Sequence, residues 1–481
     1  MKGCNVYMSK ISKNYFYNLC FQLITLFTPL ILSPYLARTI GATGLGIYAY
    51  VCSVANIICT IALLGTYNYG CRQIAYVRDD IIKTKRVYNE IFTIRLALGI
   101  LGTIVYWGYI ILTNKYATEF CAYYFWFLSM IVDPSWFFVG QEDMKPTAIK
   151  NILIKVLSII LILWLVKNNT HLVRYILIMA GSTLFANLIL YSQLRKYKIY
   201  HLLSLKNCKH HLKESISIFW PQVATLLYLQ VDKVMLQYLH PDIKQIAYYD
   251  YGEKIVTVPL AFVTTLSVVM MPRIANEFSK HNIEKMQVLL FKAGSFSLML
   301  AFPMMMGLIV CASKLVPWYL GESYSSSIAV IILISPIIIT NSLSGISGNQ
   351  YFVATNQIRL LLKAYVSAAM LNIVVNAILI PVHGCRGAAI ATTISSFVSV
   401  FIQYYYMNKQ INIIGILRSG CKYAVLSIPV GVIAFLIGNR LPAVPVTSLL
   451  QVLCGGGLYF TLLLMTKDKN LMVILKKIFK K

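Results

Sequence analysis

Residues 149–192 read IKNILIKVLSIILILWLVKNNTHLVRYILIMAGSTLFANLILYS, and this stretch decides the class of fold. Two apolar runs, at about 149–166 and 171–192, flank a short polar gap. Each run approaches the roughly 20 residues that a helix needs to cross the hydrocarbon core of a bilayer. The gap that follows is longer and basic, with Arg195, Lys196, Lys198, Lys206, Lys209 and Lys213. The stretch therefore predicts a hairpin of two membrane helices with differently charged ends.

The same pattern extends over the whole chain, which has 481 residues, 58% of them hydrophobic and only 12% charged. A soluble protein carries roughly twice that fraction of charged residues. We predict about fourteen membrane helices, at about 14–34, 45–66, 91–112, 120–140, 149–166, 171–192, 215–237, 254–272, 291–312, 328–347, 364–381, 387–406, 421–438 and 446–465. The predicted fold class is an all-α polytopic membrane protein.

Lysine and arginine collect in every second gap between the apolar runs, and they account for the net charge of +27. The cytoplasmic loops of membrane proteins carry such an excess of basic residues. The alternation therefore predicts that both termini, including the basic tail, lie in the cytoplasm. It also argues against nucleic acid as a partner, because basic residues that alternate by loop form no single patch.

The longest basic gap, at 193–214, divides the predicted helices into two halves. An internal repeat supports this division, since Tyr48, Tyr50 and Arg72 match Tyr249, Tyr251 and Arg273 at one constant offset. Parallel repeats with the substrate held between them are a known plan of transporters. We predict an N-terminal six-helix lobe at 1–192, a cytoplasmic linker at 193–214, a C-terminal six-helix lobe at 215–406, and two additional helices with a basic cytoplasmic tail at 407–481.

Ionisable residues within apolar runs are the first candidates for a functional site, because a charge is costly in a membrane and marks a substrate or ion pathway. The bases outnumber the acids: Arg95, Lys155, Arg174, Lys233 and Lys254 against Asp133, Asp232 and Glu253. A surplus of positive charge suits an anionic ligand such as pyrophosphate. Two alternatives remain open. Arg95 and Arg174 lie near predicted helix ends, where long side chains snorkel to the interface, and the acids can form structural salt bridges.

Two of these positions have a specific local context. Asp133 precedes Pro134, and proline in a helix removes a backbone donor and can kink the helix. We expect the kink to expose backbone groups that a nearby cation satisfies. Asp232 and Lys233 are adjacent in sequence and do not face each other on a helix. Each needs its own partner, which Glu253 and Lys254 could supply.

Other kinds of site are not predicted. The 11 cysteines are scattered without a CxxC pair, and the 7 histidines fall in or beside gaps. We therefore predict neither disulfides, nor a metal site, nor a buried histidine cluster. The sequence has no GxxxxGK[ST] loop, so we do not predict ATP hydrolysis by this chain. We predict no cofactor. The energy for the protein's activity is expected to come from an H+ or Na+ gradient, from the membrane potential or from downstream consumption of the product.

Several motifs, taken in order, resemble one family. They include LFTPLILSPYLARTIGATGLGIYAY at 26–50, DPSWFFVGQEDMK at 133–145, YYDYGEKIVTVPLAFVTTLSVVMMPRIAN at 248–276 and NIVVNAILIPVHGCRGAAIATTIS at 372–395. Together they resemble the Wzx-type polysaccharide repeat-unit flippases of O-antigen and capsule synthesis. These belong to the polysaccharide transport family of the multidrug/oligosaccharidyl-lipid/polysaccharide exporter superfamily. The resemblance covers nearly the whole chain; one departure is Ala354, in a stretch where the family often has proline.

The resemblance implies a MATE-like fold and a substrate, an oligosaccharide linked through pyrophosphate to undecaprenol. This substrate would be flipped from the inner to the outer leaflet of a bacterial cytoplasmic membrane, by alternating access through a cationic central cavity. Membrane lipids, a polysaccharide polymerase and chain-length machinery are the implied partners. We expect substrate contact at Arg95, Lys155, Lys233 and Lys254, and charge balance or ion coupling at Asp133, Asp232 and Glu253.

Three rival functions remain. A multidrug exporter of the same superfamily would favour acids that bind cations, whereas this chain has more bases in its predicted helices. A lipid II flippase would also favour a cationic cavity. A membrane glycan polymerase or ligase would be an enzyme with a large outer loop rich in arginine, histidine or acids. The longest predicted outer gap, at about 238–253, has no obvious acid/base pair, so we predict a transporter and not an enzyme.

Overall fold

The computed structural model describes residues 24–25, 27–199, 203–204 and 206–479. Over these residues all regular secondary structure is helical, and the chain divides into two compact units, Met1–Val234 and Met235–Lys481. The predicted all-α class is confirmed. Residues 14–23 of the first predicted membrane helix lie outside the described part of the chain.

The first unit is built from a series of apolar helices joined by short turns. In chain order they are α1 (27–39), α2 (Gly41–Leu63), α3 (Thr66–Val77), α4 (Ile81–Thr113), α5 (Ala117–Ile131), α6 (Ser135–Gly140), α7 (Met144–Leu165), α8 (Leu172–Leu194) and α9 (Cys208–Leu239), whose last residues belong to the second unit.

The second unit continues the same architecture. Its helices are α10 (Lys244–Ser279), α11 (Ile283–Tyr319), α12 (Ser326–Ile334), α13 (Ile337–Ser344), a π-helical segment (Gly345–Val353), α14 (Ile358–His383), α15 (Cys385–Asn408), α16 (Ile414–Arg440), α17 (Pro445–Met465) and α18 (Lys469–Phe479). Between α14 and α15, the turn at Gly384 has a φ of +53°, a region that L side chains rarely adopt.

Ten helical segments of the described residues are long and apolar enough to cross a bilayer. Large apolar side chains on their outer surfaces are exposed, including Ile111, Leu112, Val382 and Phe401. Such a surface is unfavourable in water but matches the hydrocarbon core of a membrane. The predicted polytopic membrane protein is therefore confirmed.

Several helices begin earlier than their apolar runs. The helix α4 starts at Ile81, well before its predicted start at 91, because the Asp80 carboxylate accepts hydrogen bonds from the amides of Lys83 (3.1 Å) and Ile82 (3.0 Å). These bonds hold the pKa of Asp80 below its ordinary value, and the bond from the Lys83 amide has the largest effect. Similarly, α9 begins at Cys208, within the gap predicted as a linker. The predicted domain boundaries stay a prediction.

The core of the first unit explains the DPSWFFVGQED motif. Trp136 is completely buried and stacks on Tyr88, with ring centroids 5.1 Å apart. Its indole lies so close to Gly70 that a Cβ there would approach to 2.5 Å, and a Cβ on Gly140 would lie 2.7 Å from the carbonyl oxygen of Cys71. Glycine therefore allows α3 and α6 to pack in direct contact.

A polar seam crosses the core of the second unit. Gln403 on α15 is buried and hydrogen-bonds Ser347 (2.7 Å), Ser344 (3.2 Å) and Ser399 (3.1 Å). Inside a membrane such bonds join helices, because an unpaired polar group in hydrocarbon is costly. The seam therefore ties α15 to α13 and to the π-helical segment.

Candidate functional site

The candidate site of the first unit forms at a break between α5 and α6. Pro134 has no N–H, so it cannot bond the carbonyl of Met130 one turn earlier. Arg95 satisfies that carbonyl through Nη2 at 2.5 Å, and its Nη1 donates to Thr66 Oγ1 at 3.2 Å. This is the cation that the sequence predicts at the kink. Because Arg95 is only 1% exposed, the snorkelling alternative is wrong for this residue.

The break frees two further carbonyls, and α8 supplies a donor for each. Asn187 Nδ2 donates to the Ser129 carbonyl at 2.8 Å, and the Tyr191 hydroxyl donates to the Val132 carbonyl. Both donors belong to the same face of α8, one turn apart. The interrupted helix is therefore held open by side chains of neighbouring helices, the usual means by which irregular backbone is tolerated at membrane depth.

A chain of hydrogen bonds starts at Asp133, in the break itself. Its Oδ1 accepts from the Ser135 amide at 2.9 Å and from Ser135 Oγ at 2.5 Å. Lys150 Nζ, from α7, donates to Ser135 Oγ at 3.1 Å and to Asn187 Oδ1 at 2.7 Å. Lys150 and Asp133 are thus connected through the hydroxyl of Ser135, to which both are hydrogen-bonded. In the described structure they form no ion pair within 4 Å of each other.

A cavity of about 360 Å³ opens onto these groups. Its polar lining residues are Tyr67, Asp133, Ser135, Thr147, Lys150, Asn151, Thr183 and Asn187. The remaining lining is apolar, as is usual for a small-molecule site in which a few polar groups fix orientation. Hydroxyl, amide and ammonium groups together can hydrogen-bond sugar hydroxyls or an anionic group.

Lys155 lies on the side of α7 that lines the cavity. It follows Ala148 and Asn151, two lining residues, at spacings of seven and four, which place all three on one helix face. The helix begins at Met144, so Lys155 is about 16 Å along it at 1.5 Å per residue. Its side chain is half-buried. Lys155 itself is not among the lining residues, and it points about 140° away from Lys150, which lies five residues earlier on α7.

The predicted pair on α9 is also buried. Asp232 and Lys233 are 1% and 8% exposed, and each interacts with other groups of the protein. Burial of a carboxylate and an ammonium group is maintained only with such compensation. Both residues lie in a helix of the first unit, outside the set that lines the cavity at the break.

The predicted pair on α10 has local partners. Lys254 Nζ lies 2.5 Å from Asp250 Oδ2, one turn earlier, and 4.5 Å from the ring centroid of Tyr251. Lys254 therefore forms an ion pair and a cation–π contact within its own helix. Glu253 is half-buried and also interacts with other groups. Asp250 is an acid that the sequence argument left out of the candidate set.

Of the predicted residues, the structure brings Arg95 and Asp133 to one helix break and places Lys155 on the adjoining face of α7. The sequence argument missed Lys150 and Asn187. The predicted helix began at 149, which put Lys150 at its edge, whereas α7 begins at Met144 and includes Lys150 well inside. Asn187 is uncharged, so a criterion based on ionisable residues in apolar runs does not select it.

The sequence places every histidine in or beside a gap and predicts no buried histidine site, but one histidine of α9 is buried in a polar network. His211 on α9 is 6% exposed, and its Nε2 lies 2.9 Å from Glu90 Oε2. Its Nδ1 lies 2.6 Å from the hydroxyl of Tyr69, while Arg86 Nε donates to Glu90 Oε1 at 2.9 Å. The helix α9 starts at Cys208, so His211 lies in its first turn, where it hydrogen-bonds Tyr69 on α3 and Glu90 on α4. No group of three or more potential metal ligands occurs among the residues that the structure describes.

Comparison with known proteins agrees with this architecture. A putative O-antigen transporter of Escherichia coli (strain K12) is 22% identical over 365 residues, which cover 72% of this chain and 84% of that protein. A solved structure of the lipid II flippase MurJ in an inward closed conformation has a TM-score of 0.72 at 18% identity, covering 95% of this chain and 99% of the other. A multidrug resistance MATE transporter in an inward-facing conformation has a TM-score of 0.64 at 14% identity, over 83% and 95% of the two chains.

The fold predicted from the motifs is thus confirmed as that of MurJ and the MATE transporters. The family model described as "Polysaccharide biosynthesis protein" matches residues 11–278, more than half of the sequence. The family resemblance drawn from the sequence is confirmed with it. This chain belongs to the polysaccharide biosynthesis protein family, whose relatives found here are transporters and not enzymes.

Proposed function

We propose that this protein is a flippase for lipid-linked oligosaccharides, with an undecaprenyl-pyrophosphate carrier, in the cytoplasmic membrane of a bacterium. The observation that supports it best is a cavity inside a membrane unit whose lining combines Lys150 with hydroxyl and amide groups. An ammonium group suits a pyrophosphate, and the neutral polar groups suit sugar hydroxyls. The name of the O-antigen transporter relative is consistent with such a cargo.

In this proposal Lys150 and Lys155 contact the substrate, while Asp133 balances their charge. Arg95 holds the helix break open, because its guanidinium is buried and already donates to Met130 and Thr66. Lys233 and Lys254 keep their proposed roles in substrate contact, and Asp232 and Glu253 their proposed roles in charge balance or ion coupling. Transport by alternating access, driven by an ion gradient, the membrane potential or downstream polymerisation, follows from the family resemblance.

A lipid II flippase is the second candidate, since the MurJ fold matches 95% of this chain. Both candidates carry the same type of lipid pyrophosphate and differ in the glycan. The outcome of depletion separates them, because loss of a lipid II flippase stops peptidoglycan synthesis, whereas loss of a repeat-unit flippase removes a surface polymer.

The test is depletion of the protein in its native cell, followed by analysis of lipid-linked glycans. We expect an undecaprenyl-pyrophosphate oligosaccharide to accumulate on the cytoplasmic face while the surface polymer disappears. Re-expression should restore the polymer. If the same oligosaccharide instead reaches the outer face and stays unpolymerised, the transport proposal fails and a polymerase or ligase replaces it.

A further inference from the structure

The C-terminal helix α18 is clamped to the second unit at its first turn. Asp468, which precedes the helix, is buried and accepts through Oδ1 from the amides of Asn470 (2.9 Å) and Leu471 (3.3 Å). Its Oδ2 accepts from the Tyr423 hydroxyl at 3.0 Å and pairs with Lys422, both on α16. A carboxylate at this position caps the helix and interacts favourably with its dipole.

A second contact fixes the direction in which α18 leaves the clamp. Asn470 Nδ2 donates to the Tyr423 hydroxyl and to Ser295 Oγ on α11, each at 2.9 Å. Leu471 is buried in the core of the second unit, and Leu475, one turn later, packs against the same core. The helix therefore lies along the protein with a defined buried side.

The opposite side of α18 has a distinct composition. Lys469, Met472, Val473 and Lys476 are exposed and follow the spacings of three, four and seven that define one helix face. Met472 and Val473 are 37% and 54% exposed. Two apolar side chains thus occupy the middle of a face that has a lysine at each end.

The position of this face relative to the bilayer follows from α17. That helix has 21 residues, about 31 Å at 1.5 Å per residue, which matches the hydrocarbon thickness of a membrane. It ends at Met465, and α18 begins four residues later. The exposed face of α18 therefore starts at the level of the lipid headgroups.

We propose that α18 is an interfacial helix whose exposed face binds anionic lipid headgroups. Its apolar residues insert at the headgroup boundary while Lys469 and Lys476 pair with lipid phosphates, the arrangement of surface-lying amphipathic helices. Lys467, also exposed, adds to the basic surface. Asp468 is the single acid in the sequence from residue 466 onward, and it is used internally by the clamp. The charge of the face is thus complementary to anionic lipid rather than to a basic protein.

Hydrogen exchange of the full-length protein in lipid nanodiscs tests this proposal independently of transport. The two bilayers compared are phosphatidylcholine alone and phosphatidylcholine mixed with phosphatidylglycerol. We expect amides of α18 to exchange more slowly in the anionic bilayer, and this protection to fall at high salt as the Debye length shortens. Equal exchange in both bilayers would overturn the proposal.

Variants separate headgroup binding from general stability. Combined Lys469→Gln and Lys476→Gln substitutions should abolish the difference between bilayers, whereas Lys280→Gln, at an exposed lysine between α10 and α11, should leave it intact. Asp468→Asn should raise exchange of α18 in both bilayers, because it weakens the clamp. If the difference in α18 exchange between the bilayers persists in the double lysine variant, lipid binding by these lysines is contradicted. It is also contradicted if α18 amides are protected only in native membranes, because that would indicate a protein partner.

Discussion

Lys150 on α7 donates a 2.7 Å hydrogen bond to Asn187 on α8, and Asn187 in turn donates to the Ser129 carbonyl freed by the helix break. The amide thus joins an ammonium group at the cavity to the backbone of the interrupted helix. The two direct partners of Lys150, Asn187 and Ser135, are neutral, so its Nζ forms no ion pair among the described contacts and stands at the cavity where a ligand can meet it. This relationship motivates the first prediction.

Lys150→Gln is expected to lower transport by about 10-fold to 100-fold, because a hydrogen bond to a charged group contributes about 1.5–3 kcal/mol. Lys150→Arg should retain part of the activity, since it keeps the charge but alters the geometry. The measurement is surface polymer per unit of membrane-inserted protein. Lys145→Gln, which removes an exposed lysine from the first turn of the same helix, serves as the control. Equal transport by Lys150→Gln and the control variant would remove Lys150 from the site.

Arg95→Gln is expected to act on stability first. The variant leaves the Met130 carbonyl without its donor in the described contacts, and an unsatisfied buried polar group costs about 1–3 kcal/mol. We expect a lower Tm in detergent and a matching loss of folded protein. Arg174→Gln, at an exposed arginine beside His171, should change neither quantity. Unchanged stability together with lost transport would instead indicate direct substrate contact by Arg95.

Much of the architecture is predictable because apolar runs of membrane length leave few alternatives to a helix. The cation at the kink is predictable for a similar reason, since Pro134 must leave a carbonyl unpaired and hydrocarbon offers no water. What the sequence does not reveal is which distant groups meet. Glu90 and His211 are far apart along the chain, and the histidine sits in a stretch that reads as a solvated linker. Lys150 was missed because polar residues at the start of α7 hide the true helix boundary.

Pro134→Ala is expected to compensate partly for Arg95→Gln. Alanine restores an N–H within reach of the Met130 carbonyl, so the freed group gains a backbone donor. The double variant should be less destabilised than the sum of the single variants, by about 1 kcal/mol. Thermal unfolding of the four proteins in one detergent measures this coupling. Strictly additive effects would mean that Arg95 supports the unit by a route other than the Met130 carbonyl.

Glu90→Gln is expected to loosen the start of α9. The carboxylate accepts from His211 and Arg86, and both partners lose charge-assisted bonds when the acid becomes an amide. We expect faster proteolysis between 203 and 211 and a loss of about 1–3 kcal/mol in stability. Glu214→Gln is the control, because the Glu214–Arg72 pair is 3.7 Å long and exposed, and exposed pairs contribute about 0–1 kcal/mol. If both variants are cleaved at the wild-type rate, the buried network does not hold this segment.

Docking of α18 is expected to depend on pH through Asp468. Burial would raise the pKa of this carboxyl, but hydrogen bonds from Lys422, the Leu471 amide and Tyr423 outweigh it and hold the pKa below its ordinary value. A lowered pKa in the folded state contributes stability that is present above the ordinary value of about 3.9 and lost as pH falls through the folded-state pKa. Limited proteolysis should therefore find α18 docked from neutral pH to about pH 4 and released at lower pH. Asp468→Asn should remove this pH dependence and leave α18 weakly docked throughout. Identical pH profiles for the two proteins would show that another group controls the release.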